Sequence, residues 1–325
     1  MLRFVIRRLV VAIPILVISS ALVFTVVHLT TNPVAGLRTN PRISPEDIAR
    51  YRHTLGLDKS GPEQYRIWLV NFVKGNWGTS LFTGRGVSAE IREALVNSLV
   101  LGIAGFALSL LLGVAIGVTA AIRQYSVFDY IATSGAFFAL SIPVFWFALI
   151  LQLFFGLYLV NWLHLNQVIF YTAGMVQPGA SGFNAVDRLR HLVLPAIVLA
   201  VQGIAVYSRY MRASMLEVLN SDFLRTARAK GVHERRVVTH HGMRNALIPL
   251  TTQAALDFGA LAGGLIVTEA IFQWPGMGAL FVRAMGDGDY AIILPWIMVT
   301  VTFVIIFNLV ADILYAVLDP RIRYA

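Results

Sequence analysis

The chain of 325 residues contains no cysteine, which excludes a disulfide framework, a thiolate zinc site and a thiol nucleophile. Charge is scarce as well, at 13% against 57% hydrophobic residues. A soluble domain carries about a quarter charged residues, so this chain has too little polar surface to keep a large fold in water. There is no Gly-x-x-x-x-Gly-Lys-Ser/Thr loop, so the usual phosphate cradle is missing. Gly276-Met277-Gly278 is too short for a nucleotide fingerprint and reads as a turn outside the membrane. The chain also lacks an HExxH helix, and its intramembrane acids have no supporting motif for a membrane-embedded protease. His240 and His241 would point about 100° apart on a helix, unlike an i, i+4 metal pair, and read as solvated loop residues. The net charge of +9 does not indicate nucleic acid, because the basic residues sit between apolar blocks, where membrane topology puts them.

What the chain does have is long apolar runs. A hydrocarbon layer takes roughly 20 apolar residues to cross, and six stretches are read as spans: Leu9 to Thr30, Ser98 to Ile122, Ile131 to Leu163, Leu192 to Tyr207, Ala246 to Thr268 and Ala291 to Leu318. The first is too long for a signal-peptide core and is read as a retained span. Ile131 to Leu163 holds no charged residue across 33 positions, and is read as one over-long helix bent at Pro143. The expected fold is an all-α integral membrane protein of six transmembrane helices. Its expected parts are 1–30 (cytoplasmic end and first helix), 31–95 (an extracytoplasmic subdomain) and 96–325 (a five-helix core with a cytoplasmic loop at 212–245).

Orientation follows from Lys and Arg. The two ends, the turn at Arg123 and the loop after the fourth span together hold 14, against three (Arg188, Arg190, Arg283) in the short segments opposite. Cytoplasmic loops carry the excess, so both termini and the basic loop are expected in the cytoplasm, with 31–95 outside.

Small residues at Gly105, Ser109, Gly113 and Gly117 line one helix face, and a second small patch surrounds Gly259 and Gly263-Gly264. Such stripes let helices approach closely in lipid; a place on a ligand path is the other reading. Ionisable residues in spans need a reason. Asp257 and Asp312 suit either a translocation path or a buried hydrogen bond, and Glu269, near the outer boundary, either a path or simple snorkelling.

The most informative stretch is Ser221 to Pro249. Ser221 or Asp222 can cap a short helix, on which Phe223, Ala227 and Lys230 share a face, and Gly231 ends it. A second short helix is expected to start near His233. This helix–Gly–helix elbow suits a protein partner, or else is a plain basic loop. Its RTARAKG (Arg225 to Gly231) followed by RNALIP (Arg244 to Pro249) resembles the EAA loop of ABC importer permeases, with Arg225 where the general pattern has Glu. RFVIRRLVVAIPILVISSALVF, LGLD (Leu55 to Asp58), GNWGTS (Gly75 to Ser80), SIPVFW (Ser141 to Trp146), EAIFQWPGMG (Glu269 to Gly278) and DILYAVLDPRIR (Asp312 to Arg323) are similar to that family in the same order. The resemblance covers nearly the whole chain and is closest to the B-type permeases of oligopeptide and dipeptide importers.

That resemblance implies a non-catalytic subunit of the inner membrane, paired with a second homologous permease. It implies two cytoplasmic ATPases that hold the ATP and magnesium, and an external peptide-binding protein that delivers cargo. Asp222, Phe223, Arg225, Thr226, Ala227, Arg228, Lys230 and Gly231 would engage an ATPase. A nickel or glutathione importer fits the same pattern, although no His or Met cluster suggests nickel. An ion-coupled secondary transporter would show two similar halves, and none is evident.

Overall fold

The computed structural model describes residues 2–30, 44–54, 58–80, 82–179 and 182–318. Among these the secondary structure is helical, apart from one isolated bridge between Thr79 and Gly86. Lipid offers no water to backbone polar groups, and a helix satisfies them within its own segment. The helices are α1 (Leu2–Thr30), α2 (Pro45–Thr54), α3 (Gly61–Val73), α4 (Val87–Ile122), α5 (Val127–Ser141), α6 (Val144–Trp162), α7 (Ala185–Leu219), α8 (Asp222–Ala229), α9 (Glu234–Arg236), α10 (Met243–Ala260), α11 (Ile266–Ile271), α12 (Met277–Asp287) and α13 (Tyr290–Leu318). Within this chain, α1, α4, α6, α7 and α13 are long and apolar enough to cross a membrane, and α5 is a shorter apolar helix.

The central pair is α4 with α7. Their closeness depends on the small stripe: a Cβ on Gly105 would lie 2.8 Å from Leu199 Cβ, and one on Gly117 would lie 2.6 Å from the Ser208 carbonyl oxygen. Ser109 fills the same face by donating to the carbonyls of Gly105 and Ala200. Packing is therefore what this stripe does. Around that pair, α10 lies against α13, and α1 lies against α13 as well. At one end of the molecule Val87, Ile91, Met277, Leu280, Ala284, Ile292 and Trp296 form a buried cluster joining α4, α12 and α13.

Two sequence expectations are corrected. Ile131 to Leu163 is not one bent helix. Ile142 (ψ 124°) and Pro143 (ψ 133°) are both extended, so the chain leaves the helix and restarts with Pro143 as the cap of α6. A residue before proline is pushed out of the helical region, and here the effect ends the helix. The carbonyls freed at this break, Ala139 and Ile142, accept from the Gln202 side chain of α7 at 2.9 and 3.2 Å. The stretch Ala246 to Thr268 is also interrupted. After α10 come a 3₁₀ turn (Leu261–Gly263) and Gly264 at φ +77°, and only then α11. Gly264 takes a left-handed conformation that favours glycine, and Gly278 backbone passes so close that no side chain would fit there.

Helix ends lie further out than the hydropathy blocks. α4 starts at Val87 and α7 at Ala185, since turns that mix charged with apolar residues extend a helix without forming an apolar run.

Candidate functional site

The elbow is built at the end of α7. After Leu219 the chain turns at Asn220 and Ser221 and enters α8. Ser221 stands at the N-cap of α8 in extended conformation, but its side chain makes no capping bond; its hydroxyl donates back to the Val218 carbonyl. Leu224 roots the helix. It is fully buried beside Gly242, which is close enough to Met215 that a Cβ there would lie 3.1 Å from the methionine methyl. Around this root, Asp222, Phe223, Arg225, Thr226, Arg228 and Lys230 are exposed and Ala227 is half-buried.

The expected glycine stop is present. Gly231 has φ +76°, its N–H donates to the Arg228 carbonyl at 2.9 Å, and the Val232 N–H reaches back to Ala227 at 3.2 Å. This is the helix-ending geometry that glycine permits at least cost. The second short helix starts where the sequence placed it, with His233 Nδ1 accepting from the Arg235 N–H at 3.2 Å. The two arms are tied by Arg228 and Glu234, whose nearest contact is 3.0 Å. That contact holds the Glu234 carboxyl below its usual range and raises the Arg228 guanidinium. Leu224 and Gly242 are not legible in the sequence, where a Phe-Leu pair within a polar stretch does not say which of the two is buried.

The intramembrane candidates separate into distinct environments. Asp257 on α10 is half-buried and accepts from the Tyr207 hydroxyl and the Gln253 amide, both at 2.8 Å, which joins α10 to α7. Gly259 lies against Phe307 of α13, and Gly263 faces Thr300. Asp312 lies on α13, but its side chain is outside the described residues.

Glu269 does not snorkel; it is fully buried. One carboxyl oxygen accepts from the Ser98 hydroxyl at 2.6 Å and the Leu265 N–H at 3.0 Å. The other accepts from the N–H groups of Gly278 and Ala279 at 2.7 and 3.1 Å. It thus pins the start of α12 to α4, and the N-terminal N–H groups of a helix attract such an acceptor. Gly276-Met277-Gly278 is therefore the entry of a helix rather than a free turn. Two further buried acids surround α12. Glu90 accepts from Arg283 at 2.5 Å, and Asp289 is bound by the Ser80 hydroxyl. Burial raises the Asp289 carboxyl above its usual range.

A membrane fold with a rooted helix–glycine–helix elbow, and no assembled catalytic group among the described residues, matches known transport proteins. The family of binding-protein-dependent transport system inner membrane components matches residues 113–324, and the N-terminal part of such components matches residues 1–88. The chain belongs to this family. It is a multi-pass inner-membrane permease and works within a transport complex, not as an enzyme. It is 41% identical to the oligopeptide transport system permease protein AppB of Bacillus subtilis (strain 168) over 325 residues, the full length of both. It is 37% identical to the di/tripeptide transport system permease protein DppB of Pseudomonas aeruginosa (strain UCBPP-PA14), over all of this chain and 99% of that protein. With the dipeptide transport system permease protein DppB of Escherichia coli (strain K12) the identity is 36%, again over 100% and 99%.

Proposed function

We propose that this permease, paired with a second homologous permease, forms the translocation path of an ATP-driven importer of peptides. Two cytoplasmic ATPases would bind the ATP and magnesium, and an external binding protein would deliver the cargo. The observation that carries the coupling role is the elbow itself. α8 is rooted through the buried Leu224 and tied by Arg228 to Glu234, and it offers Phe223, Arg225 and the rest of its surface outward at the end of α7, a lever of 35 residues. A groove on an ATPase with an acidic rim would match its arginines, and closure of the nucleotide sites would then pull on α7. In this reading both termini and the elbow are cytoplasmic, 31–95 is the outward subdomain, and 96–325 is the core. The peptide cargo rests on the names of the full-length relatives.

Asp257 is the candidate for meeting a peptide's amino group on the path, because its half-exposed carboxyl has two hydrogen-bond partners among the described residues. Gly259 and Gly263 shape the same wall through their packing on α13.

The test is uptake of labelled peptides of graded length by cells lacking the gene and by cells carrying it back. Nickel and glutathione are measured alongside. Restored peptide uptake is expected; restoration of only nickel or glutathione would replace the cargo and keep the machine. Copurification with tagged permease is expected to bring down the ATPases, and an Asp222–Lys230 deletion is expected to lose them.

A further inference from the structure

α5 is a thinly covered apolar helix, with Tyr130, Ile131, Phe137 and Phe138 exposed. Among the described residues, the side-chain hydrogen bonds that tie it to other helices all come from α7. At its far end Gln202 binds the carbonyls at the α5–α6 break. At its start Arg212 grips Asp129, Nε to Oδ1 at 2.6 Å and Nη2 to Oδ2 at 2.8 Å. The Asp129 side chain is only 4% exposed. It accepts as well from the Tyr125 N–H at 3.0 Å and, more weakly, from Thr133 at 3.4 Å. Arg209 adds a contact over the Phe137 ring, 4.3 Å from its centre.

Arg212 reaches Asp129 because of Gly117. A Cβ on Gly117 would lie 2.7 Å from Met211 Cβ and 3.1 Å from the Arg212 nitrogen, so only glycine lets this part of α7 pass α4 closely enough. Arg212 is seven residues before the end of α7, roughly 10 Å along the helix axis, after which the elbow begins.

We propose that Asp129 and Arg212 are positioning residues for transport, locking α5 to α7 so that both move as one body when the elbow is drawn. The physical reason lies in the medium. Apolar helix faces gain little by touching each other rather than lipid and can slide. A two-pronged guanidinium–carboxylate pair fixes both distance and angle, and separating it in a dry site leaves a buried charge unpaired. This inference rests on the coupling role proposed for the elbow.

The test uses the whole reconstituted complex with its binding protein. Asp129→Asn and Arg212→Gln are expected to lower peptide moved per ATP hydrolysed, on the order of tenfold for a coupling energy of ordinary size. The exchanged pair Asp129→Arg with Arg212→Asp is expected to recover much of it. Single variants that assemble and keep the native ratio would overturn the proposal.

A second measurement does not depend on cargo or on the exchange fitting the site. Tyr130→Cys and Asn220→Cys, both at exposed positions, place two spin labels on a chain free of other cysteines. Their separation is expected to stay constant between the nucleotide-free and ATP-bound complexes, and to become nucleotide-dependent once Asp129→Asn is added. A separation that already changes in the chain with Asp129 intact would show that α5 and α7 move apart, and the lock would be discarded. A native complex that hydrolyses ATP yet moves no peptide would instead count against the peptide reading, and the label distances would still decide the lock.

Discussion

At the scale of single residues, buried carboxyl groups mark the places where the fold is pinned. Glu269 accepts four hydrogen bonds. Glu269→Ala would leave its buried donors unpaired, at about 1–3 kcal/mol for each group. The expected result is a clear drop in melting temperature in detergent, with Glu269→Gln losing less; an unchanged melting point for the alanine variant would refute this role. Asp289 behaves differently, because burial raises its carboxyl. A carboxyl raised in the folded state favours folding most below its unfolded value, and that advantage is lost as pH rises through the raised value. Stability from this source should therefore fall from acidic toward neutral pH, and Asp289→Asn should flatten the dependence in melting curves across that range. Gly231 holds φ +76°, and a Cβ added there would meet nothing within 4 Å, so a side chain meets strain rather than a clash. Gly231→Val is expected to leave the complex assembled while uncoupling ATP hydrolysis from transport; normal transport at equal expression would refute the elbow's part.

At the scale of elements, α4 and α7 depend on the absence of side chains. Gly113 would place a Cβ 2.8 Å from Tyr207 Cβ, and Gly117 would place one 2.6 Å from a backbone oxygen. Real Cβ contacts are not that short, so Gly117→Leu must push the helices apart, and overpacking of this kind costs about 1–3 kcal/mol or more. Loss of assembled complex, read by size-exclusion chromatography, is the expected outcome, with Gly117→Ala intermediate. Element boundaries were the least legible part of the sequence. The uncharged run around Pro143 carried no polar punctuation, so hydropathy could not tell a bend from a break. The break is set by Ile142 and Pro143 together with a glutamine 59 residues after Pro143 in the chain, Gln202, which binds the freed carbonyls.

At the scale of the whole molecule, orientation can be tested directly, because the chain has no cysteine. Single cysteines replacing the exposed residues Arg225 and Gln273 are expected to react with a membrane-impermeant thiol reagent from opposite sides, Gln273 in intact cells and Arg225 only after permeabilisation. Reaction of both from the same side would overturn the topology. The membrane class, the packing stripe, the elbow with its glycine stop, and the family are all legible in the order of the amino acids. Each of these is written in local terms: apolar run length, spacing along one helix, a turn residue, or the order of short motifs. The tertiary structure alone decided what the polar residues do. Glu269 looked like a boundary residue until Ser98 and the start of α12 closed around it. Asp129 and Arg212, 83 residues apart, are paired only in the folded chain, where α7 passes close to Gly117 of α4. Hydropathy reports the solvent of a segment, whereas the partner of a buried charge is fixed by contacts between segments far apart in the chain.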